Sequence, residues 1–465
     1  MSSSHLGPYD VAIIGAGVVG CAVAQSLSRF ELSVVLIEGS NDIATGTSKA
    51  NSAILHTGFD APVGSLEAEL VSQGHTLLTS YARQVGIPLQ RVGAHVIAWS
   101  AEDVSELSEI ETKARANGYD GTRPLAPDQM YNREPRLARG VHGAIEVPDE
   151  SIICPFTTPL ALATDAVRNG VNLQLSSPVK RLDQADFGGW VVATPTQNIE
   201  ARWVVNAAGL RSDEIEAMVG PTEHRVTPRR GEFVIFDKTA SSLVSSIILP
   251  VPTPKTKGVL IAPTVFGNVL LGPTAEDLED KTDTRTTHSG ITHLIAEGDR
   301  VMPGINDFEI TSTYAGLRAV GPAGYEIDAD GSRRYAWAYG IRSTGLSASM
   351  AIAERLVQRL ADEGLPVNEK PSASIKAVDG LNYLGEDADR RFCNEAGRVV
   401  CFCEKTTLAD LEAAVASDIP PSDLEGLWRR TRALGGRCQG FYCRTNVTRW
   451  FETKISARSS GRVVD

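Results

Sequence analysis

Residues Tyr9–Glu38 read YDVAIIGAGVVGCAVAQSLSRFELSVVLIE. The run Asp10–Ile14 is short and apolar, the pattern of a buried parallel strand. Gly15-Ala16-Gly17-Val18-Val19-Gly20 follows as a complete G-x-G-x-x-G. The pattern predicts a helix from Val18 to about Arg29, then a second strand, Ser33–Ile37, ending on Glu38. Gly15 permits a tight turn, Gly17 lets backbone approach a pyrophosphate, and Gly20 lets helix and strand pack closely. The helix N-terminus offers free N–H groups and partial positive charge to phosphates. Glu38 stands where an acid accepts hydrogen bonds from ribose hydroxyls. This is a dinucleotide-binding βαβ unit. Its place at the very start of the chain, with no second such motif for a nicotinamide, favours FAD over NAD.

Working outward, 465 residues imply two or three domains with sizeable cores. The net charge of −12 argues against nucleic-acid binding. No apolar run approaches the ~20 residues of a membrane span. The start, Met1 to Pro8, lacks the basic and apolar parts of a signal peptide. A cytoplasmic protein is expected, with any membrane contact made through a partner.

After Glu38, Ala44–Asp60 is rich in small polar residues and reads as a loop lying against a ligand. His56, within it, reads equally as a structural or a catalytic histidine. Helices are predicted over 64–83, 101–117 and 156–169, strands over 92–99, 171–175, 189–193 and 203–206, and a connection over 126–137. The last of these strands leads into Asn206-Ala207-Ala208-Gly209, whose small residues suit close approach by a flat ligand. Residues 225–320 read as a β-rich insert, short apolar strands alternating with Pro and Gly turns, suited to framing a substrate pocket. Strand 334–339 then leads through Gly345-Leu346-Ser347 into a helix to about Leu360. That turn can place a second helix N-terminus at the cofactor.

Seven cysteines are present. Cys21, Cys154 and Cys393 are scattered. Cys401-Phe402-Cys403 and Cys438-Gln439-Gly440-Phe441-Tyr442-Cys443 form a C-x-C and a C-x4-C. Two short helices, about 408–417 and 421–433, fit between and would bring the pairs together. In a reducing compartment such a cluster suggests metal. Four thiolates suit zinc or an iron–sulfur cluster, and this spacing beside a flavin unit favours [2Fe-2S]. Arg429, Arg430, Arg432 and Arg437 are expected to offset the cluster's negative charge. Gly435, Gly436 and Gly440 are expected to let backbone N–H groups reach the sulfurs.

Residues 9–360 resemble the FAD-dependent oxidoreductases of the D-amino-acid-oxidase fold, and within them the large subunit of anaerobic glycerol-3-phosphate dehydrogenase and L-2-hydroxyglutarate oxidase. The resemblance rests on the glycine motif, Thr47–Ser52 through His56-Thr57-Gly58, Asn206–Gly209, Arg230-Gly231-Glu232, Pro250–Thr253, Leu271–Thr274 and Gly345-Leu346-Ser347. Residues 398–446 resemble the [2Fe-2S] domain of bacterioferritin-associated ferredoxin, also appended to that dehydrogenase subunit.

The implied fold class is an α/β Rossmann-like FAD-binding domain plus an α+β substrate domain, with a small helical C-terminal [2Fe-2S] domain. The oxidoreductase would span 1–365, with FAD-binding parts near 8–90, 150–222 and 331–365 and substrate parts near 91–149 and 223–330. A linker would cover 366–395 and the cysteine domain 396–465.

The resemblance implies FAD held by Gly15, Gly17, Gly20, Glu38, Thr47, Ser48, Asn51, Val179, Gly209, Gly345, Leu346 and Ser347, and a cluster on Cys401, Cys403, Cys438 and Cys443. Arg318 aligns by motif with an arginine that grips an anionic substrate; Arg230 and Lys257 are weaker candidates. Arg342 departs from the neutral or acidic residue expected in its turn. The expected activity is a dehydrogenase of a small anionic hydroxy compound, glycerol-3-phosphate first and a 2-hydroxy acid second. Arg318 would orient the anion, and His56 would take the hydroxyl proton or pack against the flavin. Electrons would pass through the cluster to a partner subunit or quinone, in a possible hetero-oligomer. An amine or imino-acid dehydrogenase and a noncatalytic cofactor-holding subunit are the alternatives.

Overall fold

The computed structural model describes residues 7–252, 258–371 and 397–459. Strand β1 (Tyr9–Ile14), helix α1 (Val18–Leu27) and strand β2 (Val34–Ile37) form the predicted βαβ unit, with β1 and β2 parallel neighbours. Strand β3 (Asn198–Asn206) flanks β1 on its other side, also parallel. The first half of β3 pairs with Trp190–Ala193 and its second half with Tyr335–Tyr339. Residues distant in sequence thus meet at the end of β1, where the glycine turn lies. The sheet has eight strands, and α1, the helices Leu66–Val85 and Thr157–Arg168, and helix α2 (Gly345–Asp362) pack together beside it. Val11, Ile13, Val34 and Leu36 bury one sheet face; Ala12, Ile14, Val35 and Ile37 bury the other. Such two-sided burial explains why these strands read as continuous apolar runs.

A second sheet, of nine strands among the described residues, takes six from residues 227–320 and adds Ala94–Ala98, Arg123–Leu125 and Gly143–Val147. One end of it is the long antiparallel pair β4 (Thr227–Phe236) and β5 (Ile310–Val320), with β5 the edge strand. A three-stranded sheet joins Ile54–Leu55 and Leu89–Arg91 to Ser151–Ile153, tying the ligand-facing loop to residue 150.

Several elements go beyond the sequence reading. Residues 126–137 contain the helix Pro127–Arg133, begun by a proline at a position where its missing N–H costs nothing. The insert contains a helix, His288–Val301, capped by the Thr287 hydroxyl accepting from Gly290 N–H. After Cys443 comes a further helix, Arg444–Ser459. The cysteine unit also holds helix Leu408–Ala416 and helix α3 (Leu424–Thr431), over a core that includes Leu411, Leu427, Val447 and Phe451. Among the described residues no helix is long and apolar enough to cross a membrane. Lys257, Cys393 and most of the expected linker lie outside the described residues.

Candidate active site

The glycine turn meets its steric demands with little to spare. Gly15 has φ +101°, and a Cβ there would sit 2.6 Å from the Ala207 carbonyl oxygen. A Cβ on Gly20 would fall 1.8 Å from the Gly15 carbonyl oxygen, so α1 packs against the turn backbone itself. At Gly17 the nearest neighbour to a Cβ would be Ser48 Oγ at 3.3 Å, which leaves the helix N-terminus approachable. The Glu38 carboxylate accepts from Ala16 N–H and Ser40 N–H, each at 2.8 Å. It braces the turn, and its remaining lone pairs stay available to ribose hydroxyls. Val179 follows Ser177 and Pro178, which lie against Glu38 and Gly39; Ser177 N–H donates to the Glu38 carbonyl at 2.8 Å.

The loop after β2 is wired to both sheets. Ser48 Oγ accepts from Val18 N–H at 2.9 Å, placing a hydroxyl at the start of α1. Thr47 donates to the Leu317 carbonyl on β5 at 2.6 Å. Asn51 donates to Ser48 O and accepts from Ala53 N–H, and its carbonyl accepts from Tyr314 OH at 2.7 Å. A Cβ on Gly316 would overlap the Ala50 carbonyl, so loop and strand touch backbone to backbone. Gly209, at φ +56°, has open space where a Cβ would stand. Asn206 holds that strand end by donating to Ser212 O and to the hydroxyls of Tyr335 and Tyr339. Gly345, Leu346 and Ser347 begin α2; Ser347 Oγ accepts from His56 N–H at 2.9 Å.

A cleft of about 810 Å³ lies beside this loop. Thr47 and Asn51 line it, with Leu317, Phe266, Trp428 and Arg432 among the facing residues. Its size suits the reactive end of a cofactor with a small substrate. The open N–H end at Gly17, the hydroxyl of Ser48, the acid at Glu38 and this adjoining cleft fit a flavin dinucleotide.

His56 and Arg318 stand outside the cleft lining. His56 Nδ1 lies 3.0 Å from Glu150 Oε2, and Glu150 is wholly buried. The other Glu150 oxygen accepts from the N–H and hydroxyl of Thr57 at 2.7 and 2.9 Å. A carboxylate only accepts, so Nδ1 carries a proton, and in the neutral ring Nε2 then holds the lone pair. Glu150 is a residue that sequence reading missed, since nothing within 94 residues of chain links it to His56.

Arg318 extends over Gly231, where a Cβ would lie 2.5 Å from its Nη2. Among the described residues its guanidinium donates to the Thr274 carbonyl at 3.2 Å. Burial, and then the neighbouring Arg229, pull it down to about 10, with Asp277 opposing. A half-buried cation with little compensation is suited to receive an anion. Arg230, by contrast, is surrounded by Glu232, Glu276 and Asp283 and serves structure. Arg342, the apparent departure, is matched by Glu67 at 3.3 Å, which also accepts from Thr344.

The expected charge partners of the cysteines are engaged elsewhere. Arg429 and Arg430 bind Asp42 at 2.6–2.8 Å. Arg432 lies 3.5 Å from Glu404 and over the Phe266 ring at 4.2 Å; Arg437 pairs with Glu309. Gly435 seats the Trp428 indole rather than a sulfur. Gly436 does admit Cys403, whose Cβ would lie 2.4 Å from an added methyl. Among the described residues no group of three His, Cys, Asp or Glu is placed to hold a metal ion. Cys403 and Cys438 hydrogen-bond through their thiols, as do Cys401 and Cys443, and charge on one pair also acts on the other. Backbone N–H groups of Tyr442, then Gly440 and Phe441, with the Cys403 thiol, hold the Cys438 thiol below its ordinary range.

Known proteins share this architecture. A glycerol 3-phosphate dehydrogenase from Caloramator mitchellensis is 34% identical over 94% of this chain and 93% of its own length. The dithionite-reduced, FAD-bound L-alpha-glycerophosphate oxidase of Mycoplasma pneumoniae superposes with a TM-score of 0.75 at 27% identity. That match covers 98% of the oxidase but 80% of this chain, so a fifth of the chain has no counterpart there. Human mitochondrial L-2-hydroxyglutarate dehydrogenase is 29% identical over 59% of this chain and 62% of its own. Residues 10–359 match the model of the FAD dependent oxidoreductase family, and the chain belongs to that family.

Proposed function

We propose that this FAD-dependent oxidoreductase is a dehydrogenase of glycerol 3-phosphate. The reading is carried by Arg318, a half-buried guanidinium held over Gly231 with one carbonyl partner among the described residues. It is supported by the end-to-end likeness to the Caloramator dehydrogenase. Arg318 grips the phosphate with its planar fork. Glu150 holds His56 so that Nε2 takes the hydroxyl proton. The loop from Thr47 to Asn51 keeps the cofactor's edge in place beside them. Bound FAD supplies the hydride acceptor. Anaerobic addition of glycerol 3-phosphate should bleach the flavin absorbance; bleaching only by 2-hydroxy acids, or by amino compounds, would replace this substrate. The 2-hydroxy-acid reading is favoured by the same arginine, which binds carboxylate equally well.

The four cysteines would hold a [2Fe-2S] cluster. Their two-by-two pairing suits two irons with two thiolates each, and the N–H groups around Cys438 suit an anionic sulfur site. The cluster would supply one-electron carriage. Phe402, Phe441 and Tyr442, each at least 75% exposed, rim the cysteines and offer a surface to an electron-accepting partner subunit or quinone. Brown colour and a visible spectrum in anaerobically purified protein test the cluster; stoichiometric zinc with no such absorbance would remove it.

A further inference from the structure

The cysteine unit is built into the cleft. Trp428, Arg432 and Gln439 form one wall of it, facing Thr47, Asn51 and Phe266. An aromatic seam closes behind them: Phe156 lies 5.2 Å from Trp428 and 6.0 Å from Phe266. The unit is locked to the cofactor loop by a buried clasp. Asp42, four residues past Glu38, is 1% exposed and receives both Arg429 and Arg430. Around that node Asn41 donates to Asp423, Ser422 donates to the Asn41 carbonyl, and Lys49 pairs with Glu425. Breaking one side of a buried ion pair leaves charge stranded, so the clasp favours one closed arrangement. The solved Mycoplasma oxidase has no counterpart for a fifth of this chain, and the family match stops at residue 359, before this unit begins.

We propose that the C-terminal unit, held by the Asp42 clasp, closes the cleft against dioxygen and so confines electron release to the dehydrogenase route. The proposal rests on the flavin-dehydrogenase reading. Dioxygen that reaches the reduced cofactor would take two electrons and two protons from it and leave as hydrogen peroxide. With the seam shut, that escape is slow.

The test uses full-length FAD-loaded protein, reduced photochemically so that no substrate is needed, then mixed with aerated buffer. Asp42→Asn weakens the clasp, and Trp428→Ala opens the wall while leaving the clasp intact. Each should speed flavin reoxidation and peroxide release by about tenfold or more, because a closed site suppresses such side reactions. Hydrogen exchange over 41–53 and 424–435 should rise in Asp42→Asn, with or without FAD, showing that the unit has loosened. Raised exchange with reoxidation unchanged would overturn the proposal, as would unchanged reoxidation in Trp428→Ala if Asp42→Asn does not fold. Glycerol 3-phosphate that fails to bleach the wild-type flavin would defeat the substrate assignment and leave this test standing.

Discussion

At the scale of single residues, the proposed chemistry falls to two side chains, Arg318 and His56, through partners that the sequence leaves unspecified. Arg318 needs the absent side chain of Gly231 to reach its position. Arg318→Lys should keep FAD bound but raise KM for the anionic substrate by roughly 10–100-fold, since charged hydrogen bonds contribute about 1.5–3 kcal/mol. Steady-state kinetics with the flavin spectrum as a control checks this. Glu150 acts on His56 rather than on substrate, so it is a positioning residue. Glu150→Gln exchanges a carboxylate for an amide at Nδ1 and removes the preference for the productive tautomer. The expected result is flavin reduction slowed by about 10²-fold or more with a displaced pH profile, as general-base catalysis requires. An unmoved profile with equal loss of stability would assign Glu150 to structure alone, through Thr57.

At the scale of elements, the β1–α1–β2 unit is over-determined at its turn. Gly20→Ala would put a methyl 1.8 Å from a backbone oxygen, and backbone cannot swing aside as a side chain can. Expressed protein should lack flavin absorbance and should melt at lower temperature than the wild type, read from the flavin spectrum and thermal unfolding. The cysteine loop makes a parallel case. Cys438→Ser should leave substrate bleaching of FAD intact while slowing turnover with the physiological acceptor. Unchanged turnover would defeat the proposed electron route.

At the scale of the whole molecule, Asp42 joins the nucleotide half to the cysteine unit. Burial pushes its carboxyl up, but the hydrogen bonds and charges of Arg430 and Arg429 outweigh that and hold it below the ordinary carboxylate value. A carboxyl whose folded pKa is depressed stabilises the fold above its unfolded value of about 4, and that contribution is lost as pH falls through the folded value. Docking of the unit should therefore be insensitive to pH near neutrality and weaken below about pH 4. It should also resist moderate salt, because buried pairs are poorly screened. Hydrogen exchange over 424–435 across pH and salt measures both; loosening in moderate salt at neutral pH would contradict a buried clasp.

Local sequence determined the nucleotide-binding unit, because strand periodicity, glycine spacing and the closing acid all act within thirty residues of chain. It also determined the spacing of the two cysteine motifs and the polar loop after β2, though not which thiols meet. Tertiary structure alone decided which charges meet. Arg429 and Arg430 look like guards of the cysteines and instead reach Asp42, 387 and 388 residues away. Arg342 looks misplaced until Glu67 is set beside it, and Glu150 is silent until His56 faces it. The reason is one of range. Backbone preferences and patterning are written into neighbouring residues, whereas the partner of a buried charge is chosen by packing between elements far apart in the chain.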